Sequence, residues 1–304
     1  MAPTAPITES RQPEDTYFRA EELGANLPPL MVAAERIAST VSQGIHGRRQ
    51  VGQGETFWQF RRYQFGDSVH NIDWRQSGKS QRVYIRQSEW EAAQSVWLWC
   101  DNSASMDFAS TSDKPKKSER AVLLALALAS LLVRGGEYVA LSGSGKPPSN
   151  NRAALQEMAL SLSNGTLSNG PLSSVPPIES LPRDARMVLF GDFLDDPRHL
   201  TDTLAQYADK GVKGLVVRLI DPAEEALPYG GRVLFEGMEG DGEVLVEQVD
   251  DARETYGERW REHGARISDL VAQAGWGYVV HHTDHSPEEA LMHLYLLLSD
   301  SHVT

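Results

Sequence analysis

The stretch Ser95–Met106, SVWLWCDNSASM, is an apolar run that stops at an aspartate and continues with two serines at alternate positions. Its first six residues are rich in β-branched and aromatic side chains, which predicts a buried strand of a parallel sheet. Asp101, Ser103 and Ser105 then fall in the loop after the carboxyl end of this strand. Open α/β sheets bind their ligands at that edge, so we expect a ligand site at this loop.

The D-x-S-x-S pattern offers only oxygen ligands, one carboxylate and two hydroxyls. Such a set favours Mg²⁺, Mn²⁺ or Ca²⁺ over zinc or copper, and few protein ligands leave room for the waters that Mg²⁺ keeps. The alternative is an ordinary strand-to-helix loop whose Ser and Asp cap the next helix. On these residues alone, the two interpretations stay open.

Strands and helices alternate along the chain after residue 95. The predicted strands are Ser95–Cys100, Glu137–Leu141, Arg186–Gly191, Gly214–Ile220 and Gly277–His282, and the predicted helices are Lys116–Arg134, Asn151–Leu162, Pro197–Lys210, Asp250–Ala274 and Pro287–Ser299. This order predicts an α/β fold with a doubly wound, mostly parallel sheet and helices on both faces.

A second buried strand also ends on an acid. The run Arg186–Gly191, RMVLFG, is followed by Asp192. Right-handed crossovers make such strands parallel, and parallel strands deliver their carboxyl ends to one edge of the sheet. We therefore expect Asp101 and Asp192 to lie close together.

The composition predicts three segments. Residues 1–16 are polar and proline-rich and predict a disordered tail. Residues 17–90 hold an amphipathic helix at Leu27–Gln43 and then a basic, aromatic segment. Residues 91–304 form the α/β domain, with an inserted hairpin at 231–248.

The basic, aromatic segment spans residues 48–86 and carries eight Arg or Lys against three acids. Interleaved charge and aromatics are one signature of single-stranded nucleic-acid grooves, although internal ion pairs explain them equally well. We predict that Trp74 and Tyr63 pack this segment against the α/β domain, with Asp67 and Asp73 pairing its arginines.

The whole chain has a net charge of −13 and one cysteine, Cys100. The negative charge argues against nucleic acid as a partner, and the lone cysteine fits a reducing compartment. The longest apolar run, Ala121–Val133, is too short to cross a membrane, and no apolar signal core is present at the start. We expect a cytoplasmic protein without membrane insertion.

Two further patterns resemble ligand-binding motifs. The run Ser142–Lys146, SGSGK, departs from the phosphate-binding loop because Ala140 and Pro147 stand where that pattern needs Gly and Ser or Thr. The histidines of His281–His285 invite a metal interpretation, but adjacent strand residues point to opposite faces, which disfavours one shared ion.

The amino-terminal half resembles the bacterial domain-of-unknown-function family 58 (DUF58). The motifs that carry the resemblance are Gly54-Glu55, Arg61, Tyr63, Gly66-Asp67, Ile72-Asp73-Trp74, Arg82 and Tyr84, followed by the D-x-S-x-S loop. The later GRVLFEG and HHTDHSPEEALMHLYLLL segments also resemble this family. The resemblance covers roughly residues 40 to 300.

The DUF58 family is similar to von Willebrand factor A domains, which hold a cation at a metal-ion-dependent adhesion site (MIDAS). The resemblance implies that Mg²⁺ or Mn²⁺ is bound by Asp101, Ser103, Ser105, Thr166 and Asp192. Ser168 or Ser173 are alternatives to Thr166 in the second loop.

The resemblance also implies a function and a partner. We expect a non-enzymatic, metal-dependent module that binds a protein partner through a carboxylate which the partner supplies. The family's genes accompany those of MoxR-type AAA+ ATPases, which are therefore the expected partner in assembly or maturation of a protein complex. The alternatives are a structural adaptor with a vestigial metal loop, or a metal-dependent hydrolase that uses Asp192 or Asp107.

Overall fold

The computed structural model describes residues 29–45, 56–62, 74–79, 82–89, 95–163, 174–240 and 242–300. In chain order its strands are β1 (Thr56–Arg62), β2 (Tyr84–Glu89), β3 (Ser95–Cys100), β4 (Tyr138–Leu141), β5 (Arg186–Gly191), β6 (Lys213–Ile220), β7 (Val233–Glu236), β8 (Glu243–Val246) and β9 (Gly277–His282). Its helices are α1 (Pro29–Ile45), α2 (Trp74–Ser77), α3 (Lys117–Gly135), α4 (Arg152–Ser163), α5 (Pro197–Asp209), α6 (Pro222–Ala226), α7 (Val249–Gln273) and α8 (Pro287–Asp300).

Five strands form one parallel sheet in the order β4-β3-β5-β6-β9. From β3 the chain passes first to β4 on one side and later to β5 on the other side. The strand order therefore reverses between β3 and β5. In open α/β sheets, the carboxyl ends of the strands at such a switch point flank the ligand crevice.

Helices cover both faces of this sheet. Alternate residues of β3 point to opposite faces, with Val96, Leu98 and Cys100 on one side and Trp97 and Trp99 on the other. The first side packs against α1, α3, α4 and α8, and the second packs against α5 and α7. The predicted α/β class, with a parallel sheet between two helical layers, is confirmed.

Helix α1 belongs to the same hydrophobic core as the sheet. Its buried Ala34, Ile37, Ala38 and Val41 pack in the cluster that contains α3 and α8. The spacing of these residues is that of one helical face, as the sequence predicts. The predicted domain boundaries themselves stay predictions.

Helix α3 contains the longest apolar run, and its residues from Ala121 to Leu132 are buried except for the half-buried Leu123. The helix lies between the sheet and α1, which explains why it is apolar all round. No helix in the part of the chain that the structure describes combines the length and apolar composition needed to span a membrane.

The amino-terminal segment contains an antiparallel hairpin, in which β1 pairs with β2 from Thr56 opposite Glu89 to Arg62 opposite Tyr84. The prediction that Trp74 packs against the α/β domain is wrong, since this residue is 69% exposed. A single helical turn, α2, carries it at the surface beside the exposed Arg75. Tyr63, Asp67 and Asp73, which were predicted to join it, lie outside the described residues.

Candidate metal centre

Asp101 lies at the end of β3 and is tied to the end of the neighbouring β5. Its backbone N–H donates a 2.8 Å hydrogen bond to Phe190 O, and its side chain is buried. Gly191 makes this close approach possible, because a Cβ there would lie 2.9 Å from Asp101 Oδ2. The absence of a side chain on Gly191 thus sets the position of the Asp101 carboxylate.

The two oxygens of the Asp101 carboxylate differ in their partners. Oδ1 accepts a 2.8 Å hydrogen bond from the backbone N–H of Ser103. Oδ2 is buried and has no hydrogen-bond partner among the residues that the structure describes. An unpaired buried carboxylate oxygen is costly, so this atom calls for a proton, a water or a cation.

The two serines of the D-x-S-x-S loop turn their hydroxyls toward each other. Ser103 Oγ lies 3.1 Å from Ser105 Oγ. A single 3-10 turn, Ala104–Asp107, curls the loop, and the fully buried Met106 anchors this turn in the core. The curled loop thus brings the two hydroxyls together on one side of the site.

Asp192 follows β5, at the strand end beside Asp101. Its Oδ2 accepts a 2.7 Å hydrogen bond from Lys117 Nζ, and its Oδ1 accepts a 3.3 Å bond from Leu194 N. The next residue, Phe193, adopts a left-handed backbone with φ of +53°, which is uncommon for a bulky side chain. Its buried ring packs beside Trp99, which offsets this strain and fixes the loop.

Lys117 places a positive charge inside the site from the first residue of α3. Its side chain is fully buried and also pairs with Glu224 of α6. Glu224 in turn accepts a 2.9 Å hydrogen bond from Asp221 N, as part of the cap of its own helix. The ammonium therefore bridges a carboxylate of the sheet edge and one of a capped helix.

Burial, together with the charges at this edge, shifts the pKa values of two carboxyls. Burial, and then the nearby Asp192, raise the pKa of Asp101 to about 7, although Ser103 and Lys117 act in the opposite direction. Burial also raises the pKa of Glu224, against the attraction of Lys117. Three carboxylates around one lysine leave an excess of negative potential, which suits a further cation.

Behind the site, Arg218 of β6 supports the loop that follows β5. Its Nε donates a 3.3 Å hydrogen bond to Asp192 O, and its guanidinium lies 4.6 Å from the centre of the Trp260 ring. His263 Nε2 lies 2.9 Å from Phe193 O. Arg218 and His263 thus hold the backbone of this loop from the face of the sheet that α7 covers.

The donor set fits a hard cation with several waters. Asp101, Asp192 and the two serine hydroxyls supply oxygen ligands, and Asp101 Oδ2 is available. No group of three or more His, Cys, Asp or Glu side chains within the described ranges is placed to hold a metal. A cation here would therefore depend on hydroxyl and water ligands beside the carboxylates, as in a D-x-S-x-S site.

Thr166 and its alternatives Ser168 and Ser173 lie outside the described residues, so the second-loop ligand stays a prediction. Asp107, the other candidate for activating water, is exposed and pairs with Lys116 at 3.2 Å.

The histidines at the end of β9 and in the turn after it lie in different environments. His281 is buried, whereas His282 lies 2.8 Å from Glu225 and its ring stands 5.0 Å from that of His285. As the alternation of a strand predicts, His281 and His282 have different surroundings.

Three residues of the site were not predicted from the sequence. A lysine at the first position of a helix opposes the helix dipole, and this misfit at Lys117 was an available signal. Glu224 follows Asp221 with capping-box spacing, which indicates a helix start but not a contact with Lys117. Glu239, which accepts a 2.8 Å hydrogen bond from Ser105 N, is 134 residues away and has no local signal.

Comparisons with known proteins identify relatives of this chain. The family model described as "Protein of unknown function DUF58" matches residues 59–266. Uncharacterized protein Rv1480 of Mycobacterium tuberculosis and uncharacterized protein Mb1516 of Mycobacterium bovis are each 26% identical over 269 residues, which cover 84% of this chain and 83% of theirs.

The matches among solved structures have lower sequence identity. The conserved hypothetical protein BatB from Bacteroides thetaiotaomicron has a TM-score of 0.39 at 16% identity, over 68% of this chain and 100% of its own. An aerotolerance-related membrane protein from Bacteroides fragilis has a TM-score of 0.43 at 15% identity, with the same coverage.

Proposed function

The chain belongs to the DUF58 family, and from the geometry of its D-x-S-x-S loop we propose that it is a metal-dependent protein-binding module. The proposed module has a von Willebrand factor A-like fold, and its cation is Mg²⁺ or Mn²⁺. One observation carries this proposal: Asp101 Oδ2 is buried at the switch point of the sheet without a hydrogen-bond partner in the described structure.

The residues of the site would have different roles in holding such a cation. Asp101 and Asp192 bring negative charge from adjacent strand ends, and Ser103 and Ser105 bring neutral oxygens on the curled loop. Lys117 holds Asp192 Oδ2 and so fixes the orientation of that carboxylate. A bound dication would supply the positive charge that attracts a carboxylate of the partner.

The proposed partner is a protein, and the family resemblance points to a MoxR-type AAA+ ATPase. The carboxyl edge of the sheet suits this role because it joins several loops at one surface: the D-x-S-x-S loop, the loop after β5 and the turn between β7 and β8. Binding without catalysis requires no general base. Asp107, the alternative acid for activating water, is exposed and forms an ion pair with Lys116.

A second candidate function is favoured by one contact, the buried pairing of Lys117 with Asp192 and Glu224. In this case the ammonium takes the place of the metal, and the protein is a structural adaptor that binds its partner without a cation. Metal dependence separates the two candidates.

The experiment measures binding of the purified MoxR-type ATPase of the same organism to the immobilised chain, with Mg²⁺ and then with chelator. The proposal predicts binding that chelator removes and that Asp101→Asn abolishes. Asp107→Asn, which changes an exposed acid of the same loop, is the matched control and should bind normally. Binding that neither chelator nor Asp101→Asn affects would favour the adaptor.

A further inference from the structure

Glu239, in the turn of the β7–β8 hairpin, contacts the D-x-S-x-S loop. Its Oε1 accepts a 2.8 Å hydrogen bond from Ser105 N. Ser105 also carries one of the two hydroxyls that face each other at the candidate metal centre. A carboxylate from a distant part of the chain therefore lies directly beside the proposed ligand set.

The hairpin is anchored at its base and weakly held at its tip. Gly231 N donates a 3.1 Å hydrogen bond to Asp250 Oδ2, and Val249 N donates one of 2.9 Å to Gly231 O, which tie the base to α7. Within the described sheets, β7 and β8 pair only with each other. Leu234 and Val244 are 55% and 63% exposed. A two-stranded ribbon with little packing is marginally stable, so its tip can leave the site at small cost.

Glu239 adds an exposed carboxylate to an edge of the sheet that already carries buried acids. The buried carboxylates of Asp101 and Asp192 already make this edge negative, and one lysine is shared between Asp192 and Glu224. Glu239 adds a further negative charge near them, and one hydrogen bond from Ser105 N holds it at an exposed position. The unpaired Asp101 Oδ2 is an independent sign that the same place accepts a cation.

We propose that Glu239 is an internal carboxylate of this site: when the cation binds to the free protein, the Glu239 side chain turns from Ser105 N to complete the coordination, and the carboxylate of a partner displaces it. This inference rests on the proposed function, since it requires the cation. It adds a ligand that comes from the same chain and occupies the place of the partner. The hairpin then competes with the partner for the cation, and binding of a partner displaces the tip of the hairpin.

The test is a calorimetric titration of the full chain with Mn²⁺, using wild type, Glu239→Gln and Glu243→Gln. Glutamine keeps an oxygen that accepts from Ser105 N but removes the charge. We expect Glu239→Gln to weaken Mn²⁺ binding about tenfold or more. Glu243, an exposed acid of the same hairpin, is the matched control, and its variant should bind like wild type.

A second readout counts the waters bound to Mn²⁺ by water-proton relaxation. Glu239→Ala should gain a metal-bound water, because a solvent molecule takes the vacated position. Equal affinity and equal hydration in wild type and both Glu239 variants would overturn the inference and leave the proposed function intact. Absence of Mn²⁺ binding in wild type would overturn both.

Discussion

Lys117 Nζ lies 2.7 Å from Asp192 Oδ2, and the two side chains are 0% and 3% exposed. The pair joins the first residue of α3 to the loop after β5, and Glu224 accepts a further hydrogen bond from the same ammonium. A buried charge of this kind is tolerated only with its partners, because each ion has lost its water. Lys117 therefore holds the carboxyl edge of the sheet together whether or not a cation is bound.

Replacement of this lysine tests that role. Lys117→Met leaves Asp192 and Glu224 buried without a positive partner, and we expect the free energy of unfolding to fall by about 3 to 5 kcal/mol. Lys116→Met is the matched control, since Lys116 pairs with Asp107 at an exposed position. We expect it to cost less than about 1 kcal/mol. Urea denaturation of both variants is the measurement, and equal stability of the two would refute the structural role of Lys117.

Addition of Mg²⁺ to the Lys117→Met variant gives a separate check on the cation. A dication at this edge replaces part of the lost positive charge, so it should raise the urea midpoint of the variant more than that of wild type. No rise in either protein would speak against a cation at this site.

Gly191 is predicted to be required by the close approach of two strand ends. In Gly191→Ala the new Cβ meets Asp101 Oδ2 at 2.9 Å and Asp101 Cβ at 3.0 Å, so the carboxylate must move. We expect a loss of about 1 to 3 kcal/mol in stability and weaker Mn²⁺ binding. Gly257→Ala is the contrasting variant, because Gly257 lies within α7 and a Cβ there meets nothing within 4 Å. It should stabilise the protein by up to about 1 kcal/mol, as judged by thermal unfolding.

His281 gives the folded protein a defined pH dependence. Burial, and then the charges of Arg120, His285 and His282, lower its pKa from 6.5 to about 4, while Asp284 opposes the shift. Between these pH values the unfolded chain binds a proton at this residue that the folded protein does not bind. The free energy of unfolding therefore decreases as pH falls from 6.5 toward 4, by up to about 3 kcal/mol from this group.

The variant His281→Gln lacks this proton uptake. The difference in unfolding free energy between wild type and variant should shrink as pH falls through the same window, which urea denaturation at a series of pH values measures. His199→Gln, which removes an exposed histidine, is the matched control for loss of an imidazole. A difference between wild type and His281→Gln that does not depend on pH would contradict the assignment.

Much of the fold follows from local sequence patterns. The runs of β3 and β5 are continuous and apolar because both faces of their sheet are covered. The acids that follow them lie at adjacent strand ends because the strands are parallel. Their ends, and those of the helices between them, were therefore readable from the sequence. The same rule predicts that Asp101 and Asp192 lie at one edge of the sheet.

The wrong prediction for Trp74 and the contacts that were not predicted all depend on residues far apart in the sequence. Trp74 is aromatic and lies in a basic segment, but its surroundings in the fold leave it at the surface. The Glu239 contact with Ser105 joins residues with no shared local pattern. The pairing of Lys117 with Asp192 and Glu224 could not be predicted, because apolar periodicity locates a helix but does not show which acids its first residue contacts.

The most direct test of the metal site is a calorimetric titration of Mn²⁺ into wild type, Asp101→Asn and Asp107→Asn. Asparagine keeps the shape of Asp101 while it removes the charge, so the fold should persist, as circular dichroism can verify. The account predicts saturable binding of one Mn²⁺ to wild type and to Asp107→Asn, and no measurable binding to Asp101→Asn. Equal binding to all three proteins, or no binding to wild type, would contradict it.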